Sequence, residues 1–277
     1  MEKQYSKNIL EMDKLSLLTS VLALGYVVSR FLEIPARMVK LVLFGSPLHF
    51  WVDSQTIMIL LVTASVISGT DMMIRSHVLF KGDHHNIRPY YHSIGPMLAV
   101  VIIGIVLDSW PMGSAWLAGL LCGMAFLVLV LITEYRSVEF PVLNSVRIRL
   151  LALYYPIGLL WLFWLVNIQV RAAISAIAAM VITALLSFRF LYGYGLSVSR
   201  VGWNSFVIGL IIGELVWVLG YLALPPIVVA ISLLLVLHIS VGVIRNLSEM
   251  VSNLHSIVEY SLVTILVISV LVMLQIV

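Results

Sequence analysis

Along the chain, apolar residues gather into nine runs separated by short polar stretches, at roughly 15–32, 54–73, 94–109, 113–133, 150–167, 172–190, 204–223, 226–244 and 258–276. Each run can cross a ~30 Å hydrocarbon layer as a helix. None shows the period-2 alternation of an outer-membrane barrel strand, and a helix satisfies its own backbone in lipid. The pattern therefore predicts an all-α fold: a polytopic transmembrane helix bundle of about nine spans, forming a single integral membrane domain over residues 1–277. "ALPP", with Pro225 and Pro226, reads as a tight turn that starts a new helix. "DSWPMG" reads as a second short turn, between the third and fourth spans.

Two polar-apolar mixtures fall outside this scheme. "EIPARMVKLVLFGSPLHFWV" (33–52) reads as a short helix in the outer interface, followed by a Gly-Ser-Pro turn and aromatic anchors. In "RNLSEMVSNLHSIVEY" (245–260), Leu247, Met250, Val251, Leu254, Ile257 and Val258 recur at steps of three and four. That spacing predicts an amphipathic helix continuing from the eighth span, with Glu249, Asn253 and His255 toward a solvated face.

Charge sets the orientation. With the N-terminus cytoplasmic, twelve of the 16 Lys and Arg residues fall on that side, and only Arg30, Arg37, Lys40 and Arg171 fall outside. The positive-inside rule then favours a cytoplasmic N-terminus and an outside C-terminus. The expected location is the plasma (inner) membrane, as a multi-pass protein. Lys3, Lys7 and Lys14 mix with Glu2, Glu11 and Asp13 ahead of the first run, which lacks a clear small-x-small cleavage site. It reads as a retained span rather than a cleaved signal peptide.

Composition agrees with the pattern and narrows the partners. Apolar types make up 62% of the chain and charged types 10%, where a soluble domain carries about a quarter. Cys122 is the single cysteine, so no disulfide framework or thiolate metal cluster is expected. A net charge of +3 without a basic block gives no support for a nucleic-acid partner. The expected partners are the lipid bilayer and other membrane subunits, and no cofactor is expected.

Candidate chemistry sits in three places. The loop "KGDHHNIRPYYH" (81–92) holds Asp83, His84, His85 and His92, types that bind protons or divalent metals. Gly82 and Pro89 would break a helix there, however, and the spacing lacks the H-E-x-x-H pattern of a helical zinc site. A wet interfacial loop explains the same residues. In the seventh span, Glu214 places a carboxyl mid-membrane, where it costs roughly 2.5–3.5 kcal/mol. His238 in the eighth span lies at a similar depth, ~15–18 Å below the shared turn. Glu214 and His238 are thus an intramembrane polar pair, able to carry a proton or simply fix helix rotation. Gly209, Gly213 and Gly220 would let a backbone or ligand approach beside Glu214, and the small-residue sixth span reads as a tightly packed central helix. Glu134, Tyr135 and Arg136, with Arg147 and Arg149 beyond them, read as a charged cytoplasmic hinge at solvated span ends. No catalytic residue is assigned, because no Gly-rich phosphate loop, Asp-rich metal motif or G-x-S-x-G elbow is present.

"YYHSIGP" entering the third span, "LITEYRSVEF" leaving the fourth and "IGELVWVLGYLALPP" in the seventh resemble a family of bacterial polytopic membrane proteins known only as a domain of unknown function. The resemblance covers about residues 90–277. It implies His92, Glu134, Tyr135 and Glu214 as family-type positions and implies no activity. Three functions stay open. The leading expectation is a non-enzymatic membrane subunit or interaction protein. The alternatives are a small proton-coupled transporter using Glu214 and His238, and a membrane-embedded lipid-modifying enzyme using the histidine loop.

Overall fold

A computed structural model describes residues 2–32, 34–43, 46–75, 89–139, 144–168, 172–194, 196–222 and 224–249. Among the described residues eight α-helices carry the fold: α1 (Glu2–Phe31), α2 (Ser54–Arg75), α3 (Ile94–Asp108), α4 (Ser114–Glu139), α5 (Asn144–Asn167), α6 (Ala172–Tyr192), α7 (Val198–Leu219) and α8 (Pro226–Glu249). Each falls on an expected apolar run, and all eight, α3 together with the turn that leads into it from Tyr90, provide a stretch long and apolar enough to cross a membrane. The ninth run, 258–276, lies outside the described residues. The amphipathic segment is described only to Glu249, and to that point it continues α8 without a break.

One expectation fails. Residues 33–52 do not form an interfacial helix: Arg37–Leu43 (β1) and Ser46–Val52 (β2) pair antiparallel, from Arg37 opposite Val52 to Leu43 opposite Ser46. Only two residues separate the paired ends, Phe44 and Gly45, which lie outside the described residues. A short apolar run has no decisive period, and here the Val, Phe and Trp content favours extended backbone. Pro47 stands next to the first residue of its strand in a two-stranded sheet, where a missing N–H is tolerated.

Contacts group the chain into two compact units, Met1–Val142 and Leu143–Val277. In the first, α2 packs on α1 and α3, and α4 packs on α3 and α1. Asp53 starts α2 by accepting hydrogen bonds from the Thr56 N–H at 2.8 Å and the Thr56 hydroxyl at 2.7 Å. The Thr56 backbone bond, followed by its hydroxyl bond, holds the Asp53 carboxyl below its ordinary range. Arg30, in the last turn of α1, donates to the Leu107 carbonyl at 2.7 Å and to the Trp110 carbonyl. It thereby ties α1 to the carbonyls at and just past the end of α3. The Tyr26 hydroxyl donates to the Val100 carbonyl, a second tie between α1 and α3.

In the second unit the most extensive contact joins α6 and α7. Gly209 and Gly213 allow it: a Cβ on Gly209 would stand 2.5 Å from the Met180 carbonyl oxygen, and one on Gly213 would stand 2.9 Å from that of Ala176. The space beside these glycines is therefore filled by the backbone of α6. Ala176, Ala179 and Thr183 are buried on that helix, the central-helix role expected for it. Packing of α5 against α6 and α8 completes the unit.

Candidate functional site

A 3-10 turn, Pro89–Ser93, leads into α3. Its geometry is held in part by the Ser93 hydroxyl, which donates to the Tyr90 carbonyl at 2.7 Å. The turn carries His92 inward, 5% exposed, against the last third of α4. There His92 Nδ1 lies 2.9 Å from Glu134 Oε2, and Glu134 is 0% exposed. One proton shared across that distance joins the two groups whichever of them formally holds it. The Ser137 hydroxyl donates to the Glu134 carbonyl at 2.7 Å and lies 3.4 Å from both His92 Nδ1 and Glu134 Oε2. A buried ionisable pair of this kind is costly unless each member is satisfied, and here each has the other.

This arrangement corrects the reading of Glu134 as part of a solvated hinge. Helix α4 runs to Glu139, beyond the apolar run that ended at 133. Glu134 and Tyr135 therefore sit inside a regular helix, and Arg136 alone of the three is exposed. Although Ser137, His92 and Glu134 name the parts of a nucleophilic triad, their geometry differs. A serine nucleophile needs the imidazole nitrogen opposite the one held by the carboxylate. Here Ser137 and Glu134 approach the same nitrogen.

Asp83, His84 and His85 lie outside the described residues, so of the loop's four candidate proton or metal ligands only His92 has a described environment. Among the described residues no group of three or more His, Cys, Asp or Glu side chains could hold a metal ion.

The second polar contact is in the other unit. His238 Nδ1 on α8 is hydrogen-bonded to the Tyr155 hydroxyl on α5, with ring centroids 5.5 Å apart in an edge-on arrangement. Glu214 is not brought to His238. It lies exposed on α7, away from the Gly209–Gly213 face, and among the described residues it makes no hydrogen bond or ion pair. Glu214 and His238 share a depth on adjacent helices, but rotation of α7 onto α6 turns the carboxyl outward.

The His92–Glu134 contact was available from depth. Third and fourth spans joined by a short turn must be antiparallel neighbours, and both residues lie ~24–30 Å from that turn by helical rise. Tyr155 was missed because α5 and α8 are not consecutive, so depth alone selects no partner for His238.

Among the described residues, eight helical segments are long and apolar enough to cross a membrane, which marks a multi-pass membrane protein. Residues 34–274 match the family model described as "Protein of unknown function (DUF5656)", and the chain belongs to that family. The match takes in the second span and the histidine loop as well as the three motifs that carried the resemblance. No curated protein and no solved structure matches the chain.

Proposed function

We propose that the protein is a non-enzymatic membrane subunit that associates laterally with another transmembrane helix through the exposed face of α7. The observation that carries this reading is Glu214, a carboxyl near the centre of a span, exposed and without a partner among the described residues. Its neighbours along the helix surface are apolar and exposed, including Leu210, Ile211, Trp217 at 48% and Val218 at 61%. A carboxyl in that setting costs roughly 2.5–3.5 kcal/mol against lipid, and a hydrogen-bond donor on a partner helix would recover part of it. In this reading the protein sits in the plasma (inner) membrane with its N-terminus cytoplasmic, works through lipid and protein contacts, and needs no cofactor.

Wild type, Glu214→Gln and Glu214→Leu, purified in a mild detergent, test it on native gels and by cross-linking. Gln keeps the hydrogen-bonding capacity and should keep the complex, while Leu should release it. A wild type that runs as a single chain, or a complex untouched by Leu, would sink the proposal. Co-purification of a different subunit and self-association are distinguished by the masses recovered.

A proton-coupled carrier is the second reading, and it draws on the buried His92–Glu134 pair, whose Nδ1 and Oε2 lie 2.9 Å apart. It requires proton-coupled flux in liposomes that Glu134→Gln abolishes, and unchanged flux would exclude it.

A further inference from the structure

The second unit holds a cavity of about 440 Å³ where one end each of α5, α6, α7 and α8 meets the turn between α7 and α8. Leu165, Ser175, Val216 and Val229 line its buried part, and Gly220 and Leu222 of the turn stand exposed at its rim. Ser175 and Val229 each lie three residues inside the start of their helix, and Val216 and Leu165 lie three and two residues before the end of theirs. The rise of an α-helix puts all four within about 5 Å of the span ends at Asn167, Ala172, Leu219 and Pro226. That is the level at which the hydrocarbon gives way to the polar part of the bilayer.

The cavity is not built for a charged ligand. Among its described lining residues none has an ionisable side chain. The helix ends also offset one another: α6 and α8 bring N-termini and α5 and α7 bring C-termini, so the opposed dipoles favour neither an anion nor a cation. Polar atoms nonetheless make up a good part of the cavity surface. Ser175 is the single polar side chain among the described lining residues, so the rest of that polar surface is main chain at the helix ends and turn, where N–H and C=O groups lack intrahelical partners. Ser175 itself is 8% exposed, and its hydroxyl makes no hydrogen bond among the described residues. A buried hydroxyl in that position is a site for a ligand's hydrogen bond.

We infer that this cavity binds the glycerol hydroxyls of a neutral glycerol-headed lipid, a monoacylglycerol or diacylglycerol. A hydroxyl both donates and accepts, which suits Ser175 and the main-chain groups of both kinds of helix end, and it carries no charge. Leu165, Val216 and Val229 offer apolar surface to the carbons beside the ester. The volume falls within the ~300–1,000 Å³ of small-molecule sites and takes the head and the first methylenes, with the rest of the chain in the bilayer.

The test is thermal melting of the full chain in an amine-oxide detergent, which carries no hydroxyl, with added decanoylglycerol, methyl decanoate, glycerol or phosphatidic acid. Decanoylglycerol should raise Tm in a saturable way, since a ligand that binds the folded state stabilises it. Methyl decanoate keeps the chain and the ester without the hydroxyls and should give no such shift. Ser175→Ala should not lower the ligand-free Tm, because the hydroxyl it removes has no hydrogen bond to lose among the described residues. It should raise the half-saturating decanoylglycerol concentration about 2- to 10-fold, the loss of one hydrogen bond. Ser175→Phe should fill the cavity and abolish the shift, and Ser175→Ala carries the reading if the Phe variant does not fold. No shift, an equal shift with methyl decanoate, or an unchanged titration in Ser175→Ala would overturn the site. A full shift with glycerol alone would overturn the lipid assignment in favour of a soluble polyol. An equal or larger shift with phosphatidic acid would overturn the neutral headgroup.

Discussion

Replacing Gly209 by Ala adds one methyl group, and the structure gives that methyl nowhere to go. Its carbon would lie 2.5 Å from the Met180 carbonyl oxygen and 2.8 Å from the Ala184 Cβ, both on α6. The first atom belongs to backbone, so no rotamer change relieves the clash and the two helices must separate locally. Overpacking of this kind costs roughly 1–3 kcal/mol, and the separation also loosens the close contact at Gly213, one turn further along. Gly202 on the same helix is the matched control, because a Cβ there meets nothing within 4 Å. Gly202→Ala should be neutral or stabilise slightly, by up to about 1 kcal/mol, since Ala is the better helix former. Melting both variants in the same detergent, followed by circular dichroism, compares them directly. Equal melting temperatures for Gly209→Ala and Gly202→Ala would refute the view that α6 and α7 meet backbone to backbone.

Glu134→Leu should destabilise the fold by about 1–3 kcal/mol, because it leaves buried His92 without its carboxylate partner, and Glu134→Gln should cost less; detergent melts rank the two. Tyr155→Phe removes only the hydroxyl bonded to His238 and should cost about 0.5–1.5 kcal/mol, read in the same melts; a loss near that of a large core truncation would contradict it. Asp53→Ala should lower Tm at neutral pH through loss of the α2 cap. The folded-state pKa of Asp53 is depressed, so its contribution is full above the ordinary carboxylate value of 3.8 and fades as pH falls through the lower folded value. The gap between wild type and Asp53→Ala should therefore narrow below that pH, and a gap that widened on acidification would reverse the sign.

The helices were legible because the membrane imposes one strong rule on every spanning segment: about twenty apolar residues with their backbone satisfied internally. The small-residue sixth span and the glycines of the seventh were each readable as close-approach surfaces, and they proved to be the two halves of one interface. The hairpin over 37–52 was not legible, since seven-residue apolar strands lie below the length at which periodicity separates helix from strand. Side-chain partnerships were legible only where chain connectivity restricts the choice. His92 and Glu134 were both singled out, but as members of a loop and a hinge, because the true end of α4 was hidden by the charged residues that close it. The rotation of α7, which turns Glu214 outward, depends on how Gly209 and Gly213 seat against α6, and hydropathy carries no information about it. Arg189 offered no signal at all: a cation at a span end is ordinarily solvated, yet here it is buried at the end of α6.

The bond between Tyr155 and His238 spans 83 residues of sequence, whereas α6 and α7 meet across a connection of only five residues. Closing long loops is slower than closing short ones, because more chain entropy is lost before any contact rewards it. In the second unit the local pairings, α6 with α7 and α5 with α6, need only short loops closed, whereas the seam between α5 and α8 needs the longest one. Tyr155 and His238 are the hydrogen-bonded part of that seam, so weakening the bond should loosen the α5–α8 contact and leave the α6–α7 hairpin intact.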